Sequence, residues 1–178
     1  MDLKKHWSYI NRTAKERLKN NKTSKHVDDY GTDIEVIGAA GELAARIFFG
    51  IRTRLHTQFD KGTDINWRGY TIDVKATRLT PRLDHRFLQW PAWKKCNTDI
   101  VLMTAVDLRG KRAIIVGWAW GEEVKKARIN HDRDYPCHEI PIPNLYPTWR
   151  LFILRSKNAR RKEDEGQAGL SGGTQGDH

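Results

Sequence analysis

The stretch from Thr63 to Lys75 (TDINWRGYTIDVK) constrains this chain more than any other segment. Apolar and polar residues alternate on both sides of Arg68-Gly69, the period-two pattern of half-buried strands joined by a tight turn. Strands over 63–67 and 70–77 are therefore expected. If Arg68-Gly69 is a two-residue turn, Trp67 faces Tyr70, Asn66 faces Thr71, Ile65 faces Ile72 and Asp64 faces Asp73. Ile65, Trp67, Tyr70, Ile72 and Val74 then share one face, and Asp64, Asn66, Thr71, Asp73 and Lys75 the other. The first face packs into a core. The second sets two carboxylates opposite each other, Cβ atoms roughly 5 Å apart, with a lysine two residues along the strand. Arg-Gly is not among the favoured pairs for such a turn, so this register rests on the alternation alone.

Like charges directly opposite destabilise a sheet, and the pairing needs a reason. A divalent cation supplies one, because Mg²⁺ or Mn²⁺ takes hard oxygen ligands and removes the repulsion. The Val74 carbonyl could add an oxygen, and Lys75 is placed to orient or deprotonate a water beside the metal. The alternative is a solvent-facing hairpin whose aspartates each hydrogen-bond elsewhere. A third acid, Glu42, stands in GAAGELAARIFFG among Gly38, Ala39, Ala40, Gly41, Ala44 and Ala45, small residues that let a helix approach a sheet closely. Glu35 is better explained as the partner of Thr32 in a capping box, which leaves Glu42 as the catalytic choice. The other reading of Glu42 is an exposed i,i+4 pair with Arg46.

The remainder of the chain reads as a sheet flanked by helices. Trp7, Ile10, Ala14 and Leu18, at spacings of three and four, predict a basic helix over 4–20 that Asn20-Asn21 end, followed by a polar connection to Tyr30-Gly31. A second helix is expected over about 33–49, closed by Gly50, and a short strand within 51–59. DIVLMTAV at 99–106 and RAIIVGW at 112–118 are apolar enough for the sheet centre, and 119–128 looks helical. Pro136, Pro141, Pro143 and Pro147 disfavour a continuous central strand across 137–154, although LFIL at 151–154 could add a final strand.

With 178 residues the chain suits one domain. Its 38% hydrophobic content, seven Trp included, supports a packed core and rules out wholesale disorder. No apolar run approaches the roughly 18 to 20 residues of a membrane helix, and MDLKKHWSYI is not a signal peptide. Two cysteines make no disulfide scaffold, so reduced thiols and a cytoplasmic location are expected. The net charge of +10 is uneven: residues 1–26 carry eight Lys/Arg against Asp2 and Glu16. Such clustering favours a polyanion, with nucleic acid the expected partner and a merely solvated helix the plain alternative. The organisation expected is a basic N-terminal helical segment over 1–26, a folded domain over 27–154 and a disordered polar tail over 155–178. Arg78, Arg82, His85 and Arg86 interleave with Phe87, Trp90 and Trp93, which suits phosphates and unstacked bases, or equally an amphipathic element burying its aromatics. His131, Cys137 and His138 fit no zinc-ligand spacing. GxxxxGK[ST] and GxSxG do not occur, which removes the corresponding NTPase and hydrolase readings.

Glu42 on a helix, then Asp64, then Asp73-Val74-Lys75 on a hairpin, in that order, resembles the PD-(D/E)XK nuclease superfamily. The likeness covers roughly residues 38–128 and includes IIVGWAWGEEV, similar to the strand-to-helix segment of phage and bacterial members. Thr63 stands where the motif's proline often precedes the first aspartate. The resemblance implies a restriction-endonuclease-like αβββαβ core: an α/β fold with a central mixed four-stranded sheet flanked by helices, here with an extra N-terminal basic helix. It implies Mg²⁺- or Mn²⁺-dependent hydrolysis of DNA, with Asp64, Asp73, the Val74 carbonyl and Glu42 on the metal and Lys75 beside the water. Lys4, Lys5, Arg12, Lys15, Lys19, Arg78, Arg82 and Arg86 would then hold the DNA backbone. A non-cleaving DNA-binding module on the same fold and a resolvase of Holliday junctions or other branched DNA are the alternatives. Many nucleases that cut both strands are homodimers, which the likeness admits here.

Overall fold

The computed structural model describes residues 1–20, 31–55, 63–83, 86–132, 135–154 and 156. The expected polar connection over 21–30, most of the tail and His85 lie outside the described residues. The elements run α1 (Trp7–Asn20, after a 3-10 turn at Lys4–His6), α2 (Gly31–Phe48), β1 (Ile65–Trp67), β2 (Tyr70–Arg78), β3 (Phe87–Pro91), β4 (Ile100–Asp107) and β5 (Arg112–Trp120), then α3 (Gly121–Lys126), β6 (Ile129–Asn130), β7 (Cys137–Pro141), a 3-10 turn at Ile142–Asn144 and α4 (Trp149–Phe152).

The fold is mixed α/β. Its main sheet has four strands in the order β1-β2-β4-β5: β1 and β4 each run antiparallel to their hairpin partner, and β2 runs parallel to β4. A smaller antiparallel sheet, β3-β7-β6, lies beside it. The β1–β2 register is the one expected, with Ile65 opposite Ile72, Asn66 opposite Thr71 and Trp67 opposite Tyr70. Arg68 and Gly69 both have positive φ, at 50° and 83°, the requirement of a tight hairpin turn that follows the sheet's twist. Arginine is an unfavourable choice there, and tertiary contacts hold it. Its guanidinium donates to the Phe152 and Leu154 carbonyls at 3.3 and 3.0 Å and lies 4.7 Å from the Trp67 ring centroid.

Both faces of the main sheet are covered, which is why β4 is a continuous apolar run. Ile100 and Leu102 pack with Ile72, Val74, Ala45 and Phe49 on the α2 side. Val101 and Met103 pack with Leu88, Trp90 and Val124 on the side of the small sheet and α3. Gly41 marks the closest approach of α2: a Cβ there would collide with Thr104 and come within 2.6 Å of the Ala76 Cβ. Helix α1 packs on α2, with Leu3, Ile10 and Ala14 buried against Val36, Ala39, Ala40 and Leu43. Among the described residues no helix is long and apolar enough to cross a membrane.

Several expectations change. Helix α2 begins at Gly31, so Thr32 stands inside it rather than at its cap. Its C-terminus is as read: Gly50, at φ +66°, donates to the Ile47 carbonyl and Ile51 to that of Arg46, satisfying the carbonyls that the last turn leaves open. Residues 51–55 form no strand, and 56–62 lie outside the described residues. Ala119 and Trp120 belong to β5, and α3 starts at Gly121, where the Glu123 carboxylate accepts from the Trp120 N–H at 2.9 Å. Residues 151–154 are not a strand. Pro147 and Thr148 accept from Arg150 and Leu151 to open a helical turn that buries Leu151 and leaves Phe152 and Ile153 exposed. The prolines do bar one continuous strand across 137–154: β7 is confined to Cys137–Pro141, with Pro136 before it and Pro141 at the end of its ladder, and it is the middle strand of the small sheet.

Candidate active site

The short β1 strand creates the site by ending early. Pairing stops at Ile65 opposite Ile72, one step before the expected Asp64–Asp73 pair. The Asp64 N–H donates to the Ile72 carbonyl at 3.0 Å, and its carboxylate takes the Val74 N–H at 2.7 Å. Asp64 thus sits on the edge of β2, a side chain standing in for a backbone partner. Its own carbonyl accepts from Arg46 of α2 at 2.6 Å.

Asp73 and Lys75 project from the same strand toward the small sheet, since their parallel partners, Val101 and Met103, face that side. The polar face read from the hairpin is therefore covered at Asp73, while Asn66 on the same face stays exposed. Asp73 is only 3% exposed, its carboxylate accepts from the Lys75 ammonium, and that ammonium lies 4.4 Å from the Trp90 ring centroid. Glu42 reaches the same edge from α2, on the other side of the sheet. It does not pair with Arg46. Both its carboxylate oxygens accept from the Arg17 guanidinium of α1, at 2.8 and 2.6 Å, with both side chains largely buried.

The three acids act on one another through Asp64. Burial, followed by the negative charges of Glu42 and Asp73, raises its carboxyl from 3.8 to about 7, against the downward pull of the Val74 N–H and the Lys75 charge. A carboxylate in that condition is short of positive charge. The donor set, carboxylate oxygens on a partly buried strand edge, suits a small hard cation such as Mg²⁺. Among the described residues no three His, Cys, Asp or Glu side chains already form a metal-holding group. The physical reason is visible: Glu42 is held by Arg17 and Asp73 by Lys75, from opposite sides of the sheet.

Arg17 was not singled out in the sequence, and Arg46 was read only as a partner for Glu42, whereas it holds the Asp64 carbonyl. For Arg17 a signal exists: at about 100° per residue it falls between Ile10 and Thr13 on the helical wheel, inside the apolar arc of α1, where an arginine needs a buried acid. The eight basic residues expected to meet DNA are all exposed. Arg78 is ion-paired to Asp33 at 2.8 Å on the surface. Of the interleaved aromatics, Trp90 is buried core whereas Trp93 is 63% exposed. His138 Nδ1 lies 2.9 Å from the Ala127 carbonyl, and Cys137 is buried. Compared with protein-family models, curated proteins and solved structures, the chain matches none.

Proposed function

We propose that the chain is a divalent-metal-dependent DNA endonuclease of the cytoplasm, built on a restriction-endonuclease-like variant of the mixed four-stranded sheet. One observation carries the reading: Glu42, Asp64 and Asp73 interact electrostatically at one strand edge, with Asp64 pushed to about 7, beside Lys75. In this variant the strand after α3 joins the small sheet rather than the large one.

Asp64 and Asp73 would hold the cation, with Glu42 and the Val74 carbonyl as further oxygen donors. When bound, Mg²⁺ or Mn²⁺ supplies charge neutralisation at a phosphodiester that the protein's ammonium groups supply only in part. Asp73 fixes the Lys75 ammonium, which Trp90 supports from one side. There it orients a water or a phosphate oxygen and offsets negative charge as the phosphate is attacked. Arg46 keeps Asp64 in register through its backbone carbonyl. The exposed basic residues of α1 and of 78–86 hold the DNA backbone.

The test is nicking of supercoiled plasmid with Mg²⁺ or Mn²⁺ against EDTA. Asp73→Ala and Lys75→Ala are each expected to abolish cutting, and wild-type rates in either would remove these roles. A second reading, a DNA-binding module without turnover, is favoured by the two-pronged hold of Arg17 on Glu42. DNA binding without cutting in any metal would select it.

A further inference from the structure

A cavity of about 270 Å³ lies where β2 and β4 meet the small sheet, lined by residues that include Lys75, Thr77, Gln89, Lys94 and Tyr135. Its size is just below the roughly 300–1,000 Å³ of drug-sized ligand sites, which suits a single flat ring system. Three observations define what such a ring would be. Its walls combine apolar side chains, Leu88, Pro91 and Met103 among them, against which the face of a heterocycle can lie, with polar groups in about equal measure. Gln89, tethered to Glu139 at 2.8 Å, brings an amide group to the lining, the group type that hydrogen-bonds base edges. Tyr135, 43% exposed, stands edge-on to the exposed Trp93 with ring centroids 4.9 Å apart, an aromatic rim open to solvent. The Lys75 and Lys94 ammonium groups lie 4.4 and 5.2 Å from the Trp90 ring centroid, so positive charge sits beside the apolar walls.

Lys75 belongs to both the acid cluster and the cavity. A phosphate held beside it has a nucleoside one sugar away, within reach of the cavity. We infer that this cavity receives one unstacked nucleobase flanking the phosphodiester at Lys75, so that the substrate is DNA carrying unpaired nucleotides rather than uninterrupted duplex. The inference rests on the nuclease reading for its phosphate and on the cavity for its base. Base–aromatic stacking of this kind tolerates any sequence, so the preference is for strand state.

The experiment uses the full chain in EDTA, where nothing is cut. Single-stranded and duplex oligonucleotides of one sequence, each carrying 2-aminopurine, are titrated by anisotropy and by probe fluorescence. Quenching on the single strand is expected, with affinity reduced about tenfold by Tyr135→Ala and by Trp93→Ala and duplex binding unchanged. Both positions are exposed, so folding is preserved, and circular dichroism checks it. Equal affinity for the two strand states, or variants that bind single strands as the wild type does, overturns the inference. Plasmid cutting without quenching removes the base site alone. Quenching without cutting of either plasmid or the single-stranded oligonucleotide in any metal removes the nuclease reading and leaves the base site standing.

Discussion

Asp64 carries most of the electrostatic tension of the site, and its effect on folding has a definite sign. Its pKa rises from 3.8 to about 7 on folding, so between those values the native state keeps a proton that the unfolded chain has released. The stability tied to that proton is fully present below about pH 4 and is lost as pH rises through about 7. Urea denaturation of metal-free protein between pH 5 and 8.5 is expected to show stability falling with pH relative to Asp64→Asn, in which an amide oxygen can still accept from Val74. Parallel profiles would mean that Asp64 is not held protonated. Arg17 gives a second prediction at this scale. Removing it leaves Glu42 largely buried without its partner and beside Asp64, so Arg17→Ala is expected to cost about 3–5 kcal/mol by chemical denaturation. Arg17→Lys, which keeps the charge but not the two-pronged geometry, should fall between. Asp64, Asp73 and Lys75 were legible as residues because the hairpin alternation exposes them. Their final environment was not, because it depends on where β1 stops and on what covers β2.

At the scale of elements, the contact of α2 with β2 and β4 governs how Glu42 meets the strand edge. Gly41 permits that contact, and a methyl group there would collide with Thr104 and Ala76. Gly41→Ala should therefore destabilise by roughly 1–3 kcal/mol through overpacking, despite alanine's better helix propensity. A scanning-calorimetry Tm equal to or above the wild type would show that the helix can shift at no cost. The hairpin was readable because period-two alternation survives in a strand with one buried edge. The small sheet was not. β7 has only four residues between Pro136 and its own last residue, Pro141, and β3 hides its period within a basic and aromatic run. The apolar run at 151–154 misled for the same reason: short apolar segments have no period of their own, and Pro147-Thr148 start a helical turn instead.

For the whole molecule, the question is where the positive charge goes. Arg12, Lys15 and Lys19 fall within about 60° of one another around α1 and are exposed, opposite the face that packs on α2. If that face meets duplex phosphates, replacing all three by Gln should flatten the dependence of log binding constant on log salt concentration by about 2–3, measured from 50 to 200 mM. An unchanged slope would place the DNA elsewhere. By itself the sequence determined the β1–β2 register, the two N-terminal helices, the two long apolar strands, the strand-to-helix step near Gly121 and the charge asymmetry, all of which follow from local periodicity and composition. Only the tertiary structure decided that Arg17 holds Glu42, that Asp64 takes a backbone N–H of β2, that Asp73 is buried under a second sheet and that Lys75 borders a cavity. Each of these joins residues distant in the chain, and local propensity cannot specify which distant group ends up beside a buried charge.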